Sequence, residues 1–219
     1  MTRLPAACLF DLDGLLLDTE PLHGRAWAEA ASHFGGALSQ QQLQQLRGRR
    51  RQDCAAAVDA WLHTPVGSSA LLAVQQPIVR ALLPSAAAMP AAERLLQHCR
   101  DHRIPMALVT SSSEDAVRFK SEPHPWLAML ETRIYGDDPE LRAGKPDPAP
   151  FLLAAERLSV QAERCWALED SVAGTKSALN AGCRVWVLDR DADEDQSDQN
   201  PRRIRSLQTV VDKLVSTDG

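Results

Sequence analysis

Ala6-Ala7-Cys8-Leu9-Phe10-Asp11-Leu12-Asp13-Gly14 decides how this chain reads. The run from Ala6 to Phe10 carries no polar side chain and is followed closely by a glycine, so it predicts a buried strand. Two carboxylates two residues apart at the C-terminal end of a strand are costly unless positive charge lies beside them. Open α/β sheets bind their ligands at that end. One such carboxylate can attack a phosphorus while the other moves a proton, with a hard cation offsetting the charge.

Four further apolar runs, 106–109, 133–135, 165–168 and 184–188, also read as strands. Helical patterns fall between them at 91–102, 114–120, 148–157 and 173–181. Pro148 suits a first helical turn and Gly182 a C-terminal stop. This alternation predicts an α/β fold, a doubly wound parallel sheet of Rossmann-like form. The first interval breaks the rhythm. A βαβ unit needs roughly 30 residues, so about 65 of the 96 between Phe10 and Met106 form an insertion. Helical patterns fill it at 21–34, with Leu22, Ala26, Ala30 and Phe34 on one stripe, and at 40–47, 52–63 and 69–83. The expected division is a catalytic core of residues 1–18 and 86–219 around an all-helical cap of residues 19–85. An insert there is expected above the C-terminal edge of the sheet, as a lid that excludes water and then releases product. The polar stretch 189–201 reads as a solvated loop.

Bulk composition narrows the function classes. With 219 residues, 44% of them hydrophobic, the chain can bury a proper core. A net charge of −5 gives no electrostatic case for nucleic acid or membrane. The five cysteines form no CxxC pair, which suggests reduced thiols and a cytoplasmic setting. No run approaches the ~18 apolar residues of a membrane span. The first strand follows the N-terminus too closely to leave room for a signal peptide.

Four segments in order carry matching chemistry: Asp11/Asp13, Thr110-Ser111-Ser112-Ser113, Lys145 in Gly144-Lys145-Pro146, and Glu169-Asp170-Ser171. In this order and placement they resemble the haloacid dehalogenase-like hydrolases over essentially the whole chain. The insertion resembles the helical cap of phosphatases and β-phosphoglucomutases in that superfamily. The resemblance implies a nucleophilic Asp11 that forms an aspartyl-phosphate, and Asp13 as general acid and then base. It implies Mg²⁺ held by Asp11, the Asp13 carbonyl and Asp170, with Glu169 nearby or acting through water. Thr110 would donate to the phosphoryl oxygens, with the backbone N–H groups of Leu12 and Ser111 assisting, and Lys145 would balance the clustered charge.

Plainer readings stand beside these. Thr110 suits a cap on the following helix, Lys145 a surface position, and Glu169 and Asp170 the start of a helix. The arginines at 47, 49, 50 and 51 form either a solvated basic face or a contact with an anionic part of a substrate. Arg51, three residues after Gly48, matches the spacing of a phosphate-binding arginine in the mutases, and His23 matches their cap histidine. The central region, at 83–90, 104–112 and 136–148, looks most like the pseudouridine-5′-phosphate and glycerol-phosphate phosphatases, and the stretch 119–124 has that group's general shape. The resulting expectation is a Mg²⁺-dependent phosphatase of a small phosphorylated sugar, polyol or nucleoside monophosphate. A β-phosphoglucomutase-like phosphomutase and a non-enzymatic binding protein are the alternatives. The small metabolite is the partner expected, and the chain is expected as a monomer or weak homodimer.

Overall fold

The computed structural model describes residues 4–46, 51–191 and 199–218. In chain order the elements are β1 (Ala7–Phe10), β2 (Leu17–Asp18), α1 (Glu20–His33), α2 (Gln40–Leu46), α3 (Arg51–Trp61), α4 (Ser68–Leu82), β3 (Ala87–Ala88), α5 (Ala92–Asp101) and β4 (Met106–Val109). They continue as α6 (Glu114–Ser121), β5 (Thr132–Ile134), α7 (Ala149–Arg157), β6 (Cys165–Glu169), α8 (Val172–Asn180), β7 (Arg184–Leu188), β8 (Arg202–Ile204) and α9 (Gln208–Asp218). Two compact units result, one of residues 1–18 and 88–219 and one of residues 19–87.

The first unit holds a six-stranded sheet in the order β5-β4-β1-β6-β7-β8, every neighbouring pair parallel. The Rossmann-like expectation is met. β1 is central, and all four of its residues are buried because helices cover both faces of the sheet. Ala7 and Leu9 point into a layer with Phe151 and Ala154 of α7 and Ala178 of α8. Cys8 points the other way, where its thiol meets Cys99 of α5. Gly182 ends α8 at φ +86, with Gly182 N–H donating to Leu179 O and Cys183 N–H to Ala178 O. A glycine takes that left-handed conformation without the steric cost a side chain would add.

The sequence reading and the structure differ in detail. α7 begins at Ala149, with Pro148 as its N-cap, and β5 starts one residue earlier than expected. Neither β8 nor α9 was expected. β8 is a three-residue edge strand, Arg-Arg-Ile, without an apolar run to announce it. α9 presents Val210, Val211 and Leu214 to the interior, a helical spacing that starts from the buried Leu207.

The second unit is helical. α1 buries Ala26, Trp27, Ala30 and Ala31, which share a cluster with Leu46, Cys54, Val58 and Leu71. The expected stripe therefore turns by about a residue: Leu22 and Phe34 are only half-buried. All five cysteines are buried and none is in a disulfide: Cys54 lies in the helical unit, the other four in the sheet unit. Among the described residues, no helix is long and apolar enough to cross a membrane.

Candidate active site

Strand register assembles the site. Phe10 stands between Leu108 of β4 and Leu168 of β6. The next residue on each strand therefore reaches the same level: Asp11, Val109 and Glu169. Asp11 N–H donates to Leu168 O at 3.1 Å, which continues the ladder one residue past β1. Lys145 arrives from the loop after β5. Arg157 of α7 braces that loop: its guanidinium donates to both Asp138 oxygens at 2.8 and 2.9 Å and to Glu140 at 2.9 Å.

Lys145 is the hub. Its Nζ donates to Asp11 Oδ1 at 2.6 Å, Glu169 Oε1 at 2.5 Å and Val109 O at 2.8 Å. Its side chain is only 4% exposed, so the surface reading of this lysine is overturned. Burial alone would lower its pKa, but Asp11 and Glu169 outweigh that and hold it above the usual lysine range. Burial pushes the Asp11 carboxyl up to about 7, against Lys145, with Glu169 and Asp13 adding to the rise.

A second buried ammonium serves Asp13. Lys120, in the last turn of α6, donates to Asp13 Oδ2 at 2.5 Å and to Ser112 Oγ at 2.7 Å. Ser112 Oγ donates to the same Asp13 oxygen at 2.8 Å. Sequence reasoning gave Lys120 no role, although it lies in the stretch 119–124. The signal was present: it lies three residues after the buried Val117, on the stripe of α6 that faces the interior.

Asp170 follows directly, and carboxylate oxygens of Asp11, Glu169 and Asp170 lie within 4.8 Å of one another. Counted as ions, the carboxylates of Asp11, Asp13, Glu169 and Asp170 exceed the Lys145 and Lys120 ammonium groups by two charges. The oxygen-only donor set and this excess both fit one hard divalent cation. Glu169 is fully buried, and its Oε2 accepts from Ser171 Oγ at 3.1 Å. Ser171 also N-caps α8, accepting from Gly174 N at 3.0 Å, so Glu169 ends a strand and does not start a helix.

Two glycines make room for these acids. Gly14 has φ +84, and a β-carbon there would fall inside the Asp170 carboxylate; one at Gly174 would fall inside that of Glu169. Gly14→Ala is therefore expected to displace Asp170 and to cut kcat by about 10²-fold, since misplacing a reacting constellation by an ångström costs about that much. Steady-state kinetics beside far-UV circular dichroism checks this: a full-rate variant would mean that Asp170 tolerates the shift.

The other expected residues fall as follows. Thr110 is buried, and its Oγ1 accepts from Ser112 N at 3.1 Å. It does not cap α6, whose N-cap is Ser113, accepting from Ala116 N. Ser111 follows Thr110 and is exposed, and a β-carbon on Gly136 would collide with its carbonyl. Leu12 is buried, and its carbonyl accepts from the N–H groups of Leu16 and Leu17 at 3.0 Å each, closing the loop that carries Asp13. His23 of α1 and Arg51 at the start of α3 line a cavity of about 570 Å³ within the helical unit. Gln75 lines it as well, and among the described residues both polar atoms of its buried amide lack a hydrogen-bond partner. Residues 47–50, with the other three arginines of the cluster, lie outside the described residues.

Comparison with known proteins identifies the family of the chain. A family model described as haloacid dehalogenase-like hydrolase matches residues 5–182. The chain is 34% identical over 185 residues to a probable pseudouridine-5′-phosphatase of Drosophila melanogaster, covering 83% of this chain and 80% of that protein. It is 27% identical over 215 residues to (DL)-glycerol-3-phosphatase 2 of Arabidopsis thaliana, covering 95% and 85%. Its fold is similar to that of a HAD-family hydrolase of Deinococcus radiodurans R1 solved with bound phosphate and sodium. That pair has a TM-score of 0.79 and 24% identity, covering 99% of this chain and 98% of the other.

Proposed function

The chain belongs to the haloacid dehalogenase-like hydrolases, and we propose that it hydrolyses phosphate monoesters of small metabolites through an aspartyl-phosphate on Asp11. The observation that carries this reading is the Lys145 bridge between Asp11 and Glu169 at the end of the central strand. It leaves a carboxylate poised beside a fixed positive charge, where phosphoryl transfer requires little beyond positioning and charge neutralisation.

In the first step an Asp11 oxygen forms a bond to phosphorus as the ester P–O bond breaks. Asp13 gives its proton to the departing oxygen. In the second step water attacks the same phosphorus, Asp13 takes a proton from that water, and Asp11 leaves as a carboxylate. Lys145 holds the orientation of Asp11 throughout, and Thr110 donates to a phosphoryl oxygen. Asp11, Asp170 and the Asp13 carbonyl would hold Mg²⁺, with Glu169 behind them. The ion would supply charge neutralisation at the phosphoryl group. The candidates for substrate are polyol, sugar and nucleoside monophosphates. The two relatives named above act by name on a pseudouridine phosphate and a glycerol phosphate, which supports that class. The absence of a disulfide among five buried cysteines supports a reducing, cytoplasmic setting.

The test is a panel of several dozen phosphate esters with Mg²⁺ and a phosphate-release assay. Release from a small alkyl ester is expected. Silence across the panel with Mg²⁺ bound would overturn the reading. Conversion of β-glucose 1-phosphate to glucose 6-phosphate without matching free phosphate would replace it with a mutase.

Proton and cation compete at this site. Because burial places the Asp11 carboxyl at about 7 when no cation is present, lowering the pH from 7 to 6 is expected to weaken Mg²⁺ binding about fivefold. Calorimetry in two buffers of different ionisation enthalpy also reads the proton that binding releases. An affinity flat across this range would contradict the raised value.

A further inference from the structure

We infer that Lys120 is a positioning residue for Asp13, fixing the acid–base carboxylate through a clamp that it shares with Ser112. The inference rests on the role of Asp13 proposed above and adds a residue to it.

A buried ammonium is expensive. Removing one from water is strongly unfavourable unless partners compensate. The Lys120 side chain is 2% exposed, and methionine or leucine would fill the same volume without that cost. What the charge achieves is visible at its tip. Lys120 Nζ and Ser112 Oγ both donate to Asp13 Oδ2, and Lys120 also donates to Ser112 Oγ, closing a triangle. Two donors converging on one oxygen fix both the position and the plane of the carboxylate, which a single partner would leave to rotate.

The clamp ties the loop after β1 to the β4–α6 segment, about a hundred residues further along the chain. Asp13 comes from the loop after β1, Ser112 from the loop after β4, and Lys120 from the far end of α6. Ser113 caps the first turn of α6, so the helix is anchored beside the site while its last turn delivers the lysine. The division of labour follows. The nucleophile Asp11 answers to Lys145, and the proton carrier Asp13 answers to Lys120. Asp13 itself is 28% exposed at its side chain, so without the clamp it has room to swing out of line.

A residue that only positions a general acid has a distinctive signature. Its loss matters for a poor leaving group, which must be protonated, and hardly at all for a good one. The experiment compares kcat/KM for p-nitrophenyl phosphate and for glycerol 3-phosphate. If the latter is inert, the fastest alkyl ester of the panel takes its place. kcat/KM reports only steps through departure of the alcohol, so hydrolysis of the phospho-enzyme does not mask the effect. Lys120→Met is expected to lose about 10²-fold on the alkyl ester and less than about threefold on the aryl ester. Ser112→Ala, a milder change, is expected to lose about tenfold with the same selectivity. It carries the test alone if Lys120→Met does not fold.

Equal losses on both esters, or no loss on either, in the variants that fold would overturn the inference. Asp13→Asn is measured alongside. If it discriminates between the esters and the clamp variants do not, only the role of Lys120 falls. If Asp13→Asn does not discriminate, the underlying assignment of Asp13 falls, and the inference falls with it.

Discussion

Asp11→Asn is expected to release phosphate at least about 10⁴-fold more slowly than the parent enzyme, with its fold intact. The amide keeps the shape of the carboxylate but is not a nucleophile, and no other described side chain stands at the end of β1 with its register. Structure should survive because asparagine can still present an oxygen to Lys145, which keeps Glu169 as its second partner. Burial already disfavours the charged form of Asp11, so losing that charge removes a strained ion rather than a stabilising one. Two readouts check this: phosphate release on the best ester, and the mass of enzyme acid-quenched during turnover, where only the parent should carry a phosphoryl group. Release at the parent rate would reassign the nucleophile.

Lys145→Met is the second large effect, and it acts on stability as well as turnover. Removing the ammonium leaves Asp11 and Glu169 facing each other across a site whose side chains are 10% and 0% exposed. Breaking a buried ion pair by deleting one partner costs about 3–5 kcal/mol. One of the two carboxyls should then keep its proton well above its unfolded pKa. The native state of the variant binds more protons than its unfolded state from about pH 4 upward, so its stability falls as pH rises. Urea midpoints at acidic and neutral pH are expected to diverge more for the variant than for the parent. Turnover should fall by about 10³-fold, the scale set by removing a fixed charge from a phosphoryl site. An unchanged melt would mean that water enters to solvate the pair.

These two residues show how much the chain discloses before it folds. The run ending at Phe10 announces a central strand because both faces of β1 are covered, which leaves no polar position to blur the pattern. Asp11, Lys145 and Glu169 are legible because each stands in a short motif. The meeting of Asp11 and Glu169 needs only the parallel register, which the alternation of strands and helices implies. Lys120 was harder to read. The stretch 119–124 carries a resemblance but points to no role for the lysine, and lysines in helices are ordinarily solvated. What distinguishes it is a partner 107 positions away, Asp13. β8 was hidden because an edge strand may carry arginines, which stretch toward solvent without breaking the ladder. Gly14 was visible as a residue of its motif, whereas Gly174 lies just beyond the Glu169-Asp170-Ser171 segment. That they clear space for Asp170 and Glu169 follows only from the packed structure.

The thiols give the molecule a built-in chemical clock. Alkylating reagents cannot reach sulfur atoms sealed inside packed helices and strands, so each label records an opening event at its own address. Peptide mapping after timed exposure would separate breathing of the helical insert, reported by Cys54, from rupture of the sheet, reported by Cys183. A single rate at both addresses would mean that the two units open together; two rates would rank them.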